Sequence, residues 1–205
     1  WSIIACPKPV APVDEVGDGE ARRRVFWHAA DAFADVRGVA RPSGLVLDLG
    51  HPRYSRALYV HMEAILAADG ESAASDEDVL VRVLRHERSF WKKAMSALKL
   101  PAAQLSERPT RYLDEAMAAF TLLGGVGNRA SAMAIHGAVM ISPSTADRAD
   151  AHLDVLRVLY GGLKEEDSLW IRPLEPDVLG EQLVEEVLSE DPGVLDRVME
   201  IATAS

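Results

Sequence analysis

The sequence predicts a mainly α-helical chain. Ala, Leu, Val, Glu and Arg are common and aromatics make up only 6% of residues, a composition that favours helix over sheet. Apolar residues recur at helical spacing in segment after segment, whereas only Ser168 to Leu174 alternates as a half-buried strand does. The expected order is a helical subdomain, a winged-helix-like domain with one short strand or hairpin, and two closing helices.

Trp1 to Gly19 carries Pro7, Pro9 and Pro12 with two glycines and reads as a linker. Its abrupt apolar start without Met suggests that something upstream has been removed. From Glu20 to Val36, the positions Val25, Ala29, Ala32, Phe33 and Val36 predict one buried stripe, ended by Gly38 and Pro42. Leu58, His61, Met62, Ile65 and Leu66 predict a second, stopped at Gly70. Ser75 with Asp78 resembles a capping box, with Asp76 and Glu77 adding charge that a helix N-terminus favours, so a long helix to about Leu98 is expected.

After Pro101 and Pro109, Tyr112, Leu113, Ala116, Met117 and Phe120 predict a helix that runs into Gly124, Gly125 and Gly127. Asn128 caps the next, which ends near Met140. Beyond Ser142-Pro143-Ser144, the stripe Ala149, Leu153, Leu156 and Leu159 predicts a third helix, stopped by Gly161 and Gly162. Three short helices followed by a strand is the order of a winged-helix unit, although periodicity alone does not separate that from a plain helical bundle. Asp177 is expected to cap a helix from Val178 to Ser189, and Asp191-Pro192 to start the last, Gly193 to Ala202.

With 22 basic and 32 acidic residues the formal charge is −10, which repels nucleic-acid backbones and anionic membranes. The run Arg22-Arg23-Arg24 reads as a solvated helix edge. Cys6 is the only cysteine, so the chain can form no internal disulfide and no Cys-based zinc site. No apolar run approaches the roughly 20 residues of a membrane span, and a cytoplasmic protein is expected.

No catalytic constellation emerges. Gly125-Val126-Gly127-Asn128-Arg129-Ala130 fits a dinucleotide turn in letters, but helical periodicity precedes it where a strand is required, so it reads as a helix-connecting turn. Leu45-Val46-Leu47-Asp48 resembles the strand and carboxylate that hold Mg²⁺ in nucleotide hydrolases, yet no phosphate loop accompanies it, because no glycine is followed by lysine. A core segment or loop anchor is the expectation. His61-Met62-Glu63 and His86-Glu87 place imidazoles beside carboxylates, but neighbours on a helix point apart, and Phe90 stands where a second histidine would complete H-E-x-x-H. His61, on the apolar stripe, is expected to be a hydrogen-bonded core residue, and His86 to pair locally or cap an interface. The acidic groups Glu165-Glu166-Asp167 and Glu185-Glu186 read as solvated, and neither catalytic nor metal-binding residues are expected.

Four segments carry a family resemblance. Phe26-Trp27-His28-Ala29-Ala30-Asp31-Ala32-Phe33-Ala34 is similar to an aromatic-x-x-Ala-Ala-x-x-Phe helix. Arg56-Ala57-Leu58-Tyr59-Val60-His61-Met62-Glu63-Ala64 is similar to R-P-L-Y-V-H-M-x-A, with Ala57 in place of its proline. Leu84-Arg85-His86-Glu87-Arg88-Ser89-Phe90-Trp91 is similar to L-x-H-E-R-x-Y-W. Pro173 to Val184 is similar to P-L-E-P-D-L-L-G-E-H-L-V. In this order they resemble the arm that follows the nucleotide-binding core in actinobacterial-type STAND ATPases, relatives of the NACHT and NB-ARC switch proteins.

The resemblance implies a linker (1–19), a helical subdomain (20–105), a winged-helix-like domain (106–180) and the start of a C-terminal helical sensor region (181–205). Trp1 would then follow a missing ATPase core that carries Walker A and Walker B. It also implies nucleotide-proximal residues Arg56, Ala57, Leu58, Pro176 and Asp177, with Pro176-Asp177 standing where the family has a His-Asp pair. Interdomain roles fall to His61, His86, Glu87, Trp91 and Glu175. The segment itself would hold no cofactor, while the parent would use ADP or ATP with Mg²⁺. Implied partners are the upstream P-loop ATPase core, a C-terminal repeat sensor such as a TPR array, and further copies of the chain on activation. The residues leave two other readings open, a stand-alone helical or winged-helix adaptor for another protein and a winged-helix DNA-binding regulator. The second is opposed by the charge and by a helix, Asn128 to Met140, whose only basic residue is Arg129.

Overall fold

The computed structural model describes residues 17–43, 47–71, 77–98, 109–140, 146–161 and 168–204. Among them are eight helices: α1 (Gly19–Arg37), α2 (Ala57–Ala68), α3 (Val79–Ala97), α4 (Pro109–Leu122), α5 (Arg129–Val139), α6 (Ala146–Tyr160), α7 (Asp177–Glu190) and α8 (Gly193–Ala204), with a short 3-10 turn at Pro52–Ser55. The chain is therefore mainly α-helical. It divides into two compact units, and the division falls inside α3, between His86 and Glu87. The expected boundary at residue 105 lies outside the described residues, and the one at residue 180 falls within α7.

In the N-terminal unit, α1 starts where the Asp18 side chain accepts hydrogen bonds from the Glu20 and Ala21 amides, at 3.1 and 2.9 Å, satisfying two donors that the first turn leaves open. It ends at Gly38, whose φ of 65° lets the chain turn left-handed out of the helix. The buried face differs from the expected stripe. Phe26, Ala29, Ala30 and Ala34 are buried, whereas Ala32 and Val36 are exposed. The inward ridge is the i, i+4 series Phe26-Ala30-Ala34, because alanines let α1 approach Val60, Ala64 and Ala67 of α2, while Phe26 fills the space beside Leu49 and Tyr54. Burial of Phe26 alone is worth about 2–3 kcal/mol.

α2 is buried on every side from Met62 to Ala68, Glu63 included, where the sequence predicts burial along one stripe. Arg22 of α1 donates to the carbonyls of Leu49, Gly50 and His51, at 3.2 to 3.4 Å, and fastens the turn before α2. Asp48 lies in that turn, where its carboxylate accepts from the Gly50 amide at 3.0 Å, so it is a loop anchor. Leu45 and Val46 lie outside the described residues. Asp78 immediately precedes α3, and its carboxylate accepts from the Leu80 amide at 2.8 Å, so it stands before the helix and not three residues inside it as the capping box predicts; Ser75 and Asp76 lie outside the described residues.

In the C-terminal unit, α4, α5 and α6 follow one another, and the α4–α5 connection is the helix-linking turn expected at Gly124 to Asn128. Asn128 caps α5 by accepting from the Ser131 amide at 2.9 Å. The predicted strand from Ser168 to Leu174 is reduced to one antiparallel bridge, Ile171 to Val126, and no longer strand occurs among the described residues. The reason is local. Gly125, at φ 99°, brings its backbone so close to Leu169 and the Ile171 carbonyl that a Cβ would sit 2.9 and 3.0 Å from them. The Arg172 amide donates to the Tyr160 carbonyl rather than to a ladder, and Pro173 has no amide to give.

α7 starts after a cis Glu175-Pro176 peptide. Here the expected cap is corrected: Pro176 occupies the N-cap without a side-chain bond, and Asp177 is the first helical residue, an acid in the first turn. The chain reaches helical geometry one residue early because the Leu179 and Gly180 amides both bond to the Pro176 carbonyl. Gly180 is buried against α4, where a Cβ would lie 2.8 Å from both the Leu174 carbonyl and the Thr121 methyl. Asp191 opens α8 as expected, accepting from the Gly193 amide at 3.0 Å and from Arg197 at 2.8 Å.

Candidate functional site

The residues singled out from the sequence fall into both units. In the N-terminal unit, Arg56 precedes α2 and is exposed, Ala57 is its first residue, and Leu58 is half-buried. His61 is half-buried, with its Nδ1 2.7 Å from the Ala57 carbonyl. That bond occupies the imidazole within its own helix. His86 is buried and pairs with Asp69, whose carboxylate also meets Arg37. One carboxylate at the end of α2 thus gathers the last turn of α1 and the middle of α3.

The strongest polar cluster of this unit was not predicted. Glu63 is 2% exposed, and its carboxylate receives Arg82 at 3.1 and 2.9 Å and the Tyr54 hydroxyl at 2.8 Å. Burial, reinforced by the adjacent Glu63 charge, pushes the Tyr54 hydroxyl up to about 12. A buried carboxylate held by one guanidinium and one phenol is a clamp between α2, α3 and the 3-10 turn. The sequence names Glu63 only as a neighbour of His61, because periodicity shows which side of a helix a residue occupies but not which distant residue meets it.

In the C-terminal unit, Glu87 and Trp91 meet through a residue that the sequence reading left out. Tyr160 donates to Glu87 at 2.8 Å and accepts from the Trp91 indole at 2.6 Å, with the two rings edge to face at 85°. Burial, together with the Glu87 charge, raises the Tyr160 hydroxyl well above its ordinary value. The expectation that His86 and Glu87 diverge matches the geometry, since each joins a different cluster. Glu175 and Asp177 are exposed, and Pro176 is half-buried.

Two further clusters lie in this unit, and the first corrects the expectation that Glu186 is solvated: Glu185 is exposed, but Glu186 is half-buried and paired. Arg88 donates to Asp114 at 2.9 Å and to Glu186 at 2.8 Å, beside a cavity of about 30 Å³ that Arg111, Glu115, Val187 and Glu190 also line. That volume has room for roughly two waters. His136 and His152, 1% and 3% exposed, approach to 3.2 Å between Nε2 and Nδ1, and Tyr112 stacks on His152 with ring centroids 5.8 Å apart. Burial pulls His136 down to about 4, so the imidazole is neutral at pH 7.

Arg129, the one cation of α5, is held by Asp150 at 2.7 Å and Asp154 at 3.0 Å on α6. Among the described residues no group of three or more His, Cys, Asp or Glu is arranged to hold a metal ion, and no helix is long and apolar enough to cross a membrane. Comparison with protein-family models, with curated proteins and with solved structures found no match.

Proposed function

We propose that this chain is the regulatory arm of a STAND-type, nucleotide-dependent signalling switch, closing over ADP held by a separate ATPase core and relaying the change when ATP replaces it. The observation that carries the reading is the order of the family-like segments along the fold. An aromatic-alanine helix, α1, comes first, the Arg56 to Ala64 motif opens α2, and the His86-Glu87 motif follows in α3. Three helices and the Val126–Ile171 bridge then lead into Pro173-Leu174-Glu175-Pro176-Asp177 at the start of α7. On this reading α4 to α6 with the bridge form the winged-helix-like part, α7 and α8 begin a sensor region, and the protein works in the cytoplasm.

Arg56, Ala57, Leu58, Pro176 and Asp177 would lie nearest the nucleotide, whose phosphates and Mg²⁺ the ATPase core would hold. A switch of this kind requires ADP and ATP to differ in affinity for the closed state. Titration calorimetry tests it. ADP should give saturable binding to the chain joined to its ATPase core and none to the chain alone, and saturable binding by the chain alone would sink the proposal.

A protein-interaction adaptor is the second reading, favoured by Leu195 and Met199, 39% and 54% exposed on the outer side of α8. A DNA-binding role is the weakest, since Arg129 is already engaged by two aspartates on α6.

A further inference from the structure

Around the cavity of the C-terminal unit, carboxylates outnumber guanidiniums. α3 brings Arg88, and α4 brings Arg111, Asp114 and Glu115. α7 brings Glu186 and Glu190. Arg111 is committed to Glu115 at 2.7 Å, and Arg197 to Asp191 at the α7–α8 corner. Glu87, the one acid of α3, is bonded to Tyr160 of α6. Arg88 is left to serve Asp114 and Glu186 together, one from each neighbouring helix, with Glu190 adding more negative charge. Gln182, one turn before Glu186, donates to it at 3.3 Å but brings no charge.

We propose that this junction is a proton-responsive latch, in which uptake of one proton by Asp114, which shares Arg88 with Glu186, tightens the seating of α7 on α3 and α4. With both acids ionised, a single guanidinium must compensate two charges that share a partly desolvated space. With one protonated, Arg88 and the remaining carboxylate form a matched pair, and the new carboxylic acid can donate a hydrogen bond. The direction of titration agrees. Burial lifts the Asp114 carboxyl to about 6, with Glu186 and Glu190 pushing the same way against the pull of Arg88. A carboxyl whose pKa is higher when the junction is closed favours closure as pH falls through about 6 and opposes it as pH rises.

The test is hydrogen exchange of the α7 amides in the whole chain, expressed as protection factors at about pH 5.5 and about pH 7.5, for wild type and for Asp114→Asn. Wild type should be about fourfold better protected at the lower pH, measured relative to the variant, and the variant should lack that gain. Equal pH dependence in both proteins, or greater wild-type protection at the higher pH, overturns the latch. If Asp114→Asn does not fold, carboxyl NMR titration of the wild type decides. A midpoint near 6 for Asp114 supports the proposal, and an ordinary carboxylate midpoint overturns it.

Discussion

Arg82 and Arg88 belong to the same helix and meet acids on other helices, yet their surroundings are unlike. Arg82, 3% exposed, pairs with Glu63, a carboxylate that also accepts from the Tyr54 hydroxyl. Within that pair the charges match. Arg88 is more open, faces two carboxylates at once and has others close by. Two guanidiniums of equal charge can thus make a permanent clamp or an adjustable one, and the number of acids around each decides which.

Arg82→Met is expected to have the largest effect, since it strands a buried Glu63 charge. It should cost about 3–5 kcal/mol, read from chemical denaturation. Glu63→Leu combined with Arg82→Met should recover most of that loss, and a double variant as unstable as the single one would break the picture of a closed pair. The second effect sharpens the comparison by removing a competing titration. His136 is held at about 4 when folded and returns to about 6.5 when unfolded. Its contribution is therefore complete above the unfolded value and is lost as pH falls toward 4, by about 3 kcal/mol between about pH 7.5 and pH 4. Denaturation midpoints followed across that range should fall less steeply for His136→Phe than for wild type. Asp114 acts in the opposite direction over the same range, so each slope has to be isolated by its own variant. The smallest expected effect is Arg88→Met, at about 2 kcal/mol near neutral pH, because its carboxylates remain partly hydrated. This loss should shrink as the pH is lowered through about 6, and a loss that grows instead would make Arg88 a second permanent clamp.

Helix existence and many helix ends were legible from Gly38, Asn128, Asp191 and the periodic apolar residues. Ends are local events, decided by a side chain and amides two or three positions away. Faces were read less well. Of the expected α1 stripe, Ala29 is buried and Val25 and Phe33 pack against the core, but Ala32 and Val36 face outward, and the small Ala30 and Ala34, which a close helix neighbour selects, lie outside it. Ser168 to Leu174 pairs at a single bridge because alternation does not reveal whether a partner strand exists, and among the described residues only Val126 bonds it as a strand would. Pro176 displaced Asp177 from the cap for a similar reason, since backbone direction set the first helical residue before any side chain acted. The polar clusters were the least visible. Glu63 and Arg82, Trp91 and Tyr160, and Arg88 and Glu186 lie far apart in the chain, and no local pattern announces that they meet.

Gly180 has a practical consequence. With the Leu174 carbonyl and the Thr121 methyl each only 2.8 Å from where a first side-chain carbon would lie, any other residue at this position becomes a wedge. The identity of residue 180 in natural variants is then a gauge of helix spacing: alanine there would report that α4 and α7 have moved apart, and glycine that they still touch. A spectroscopic label is better carried at Gly137 on α5, where nothing lies within 4 Å of an added carbon.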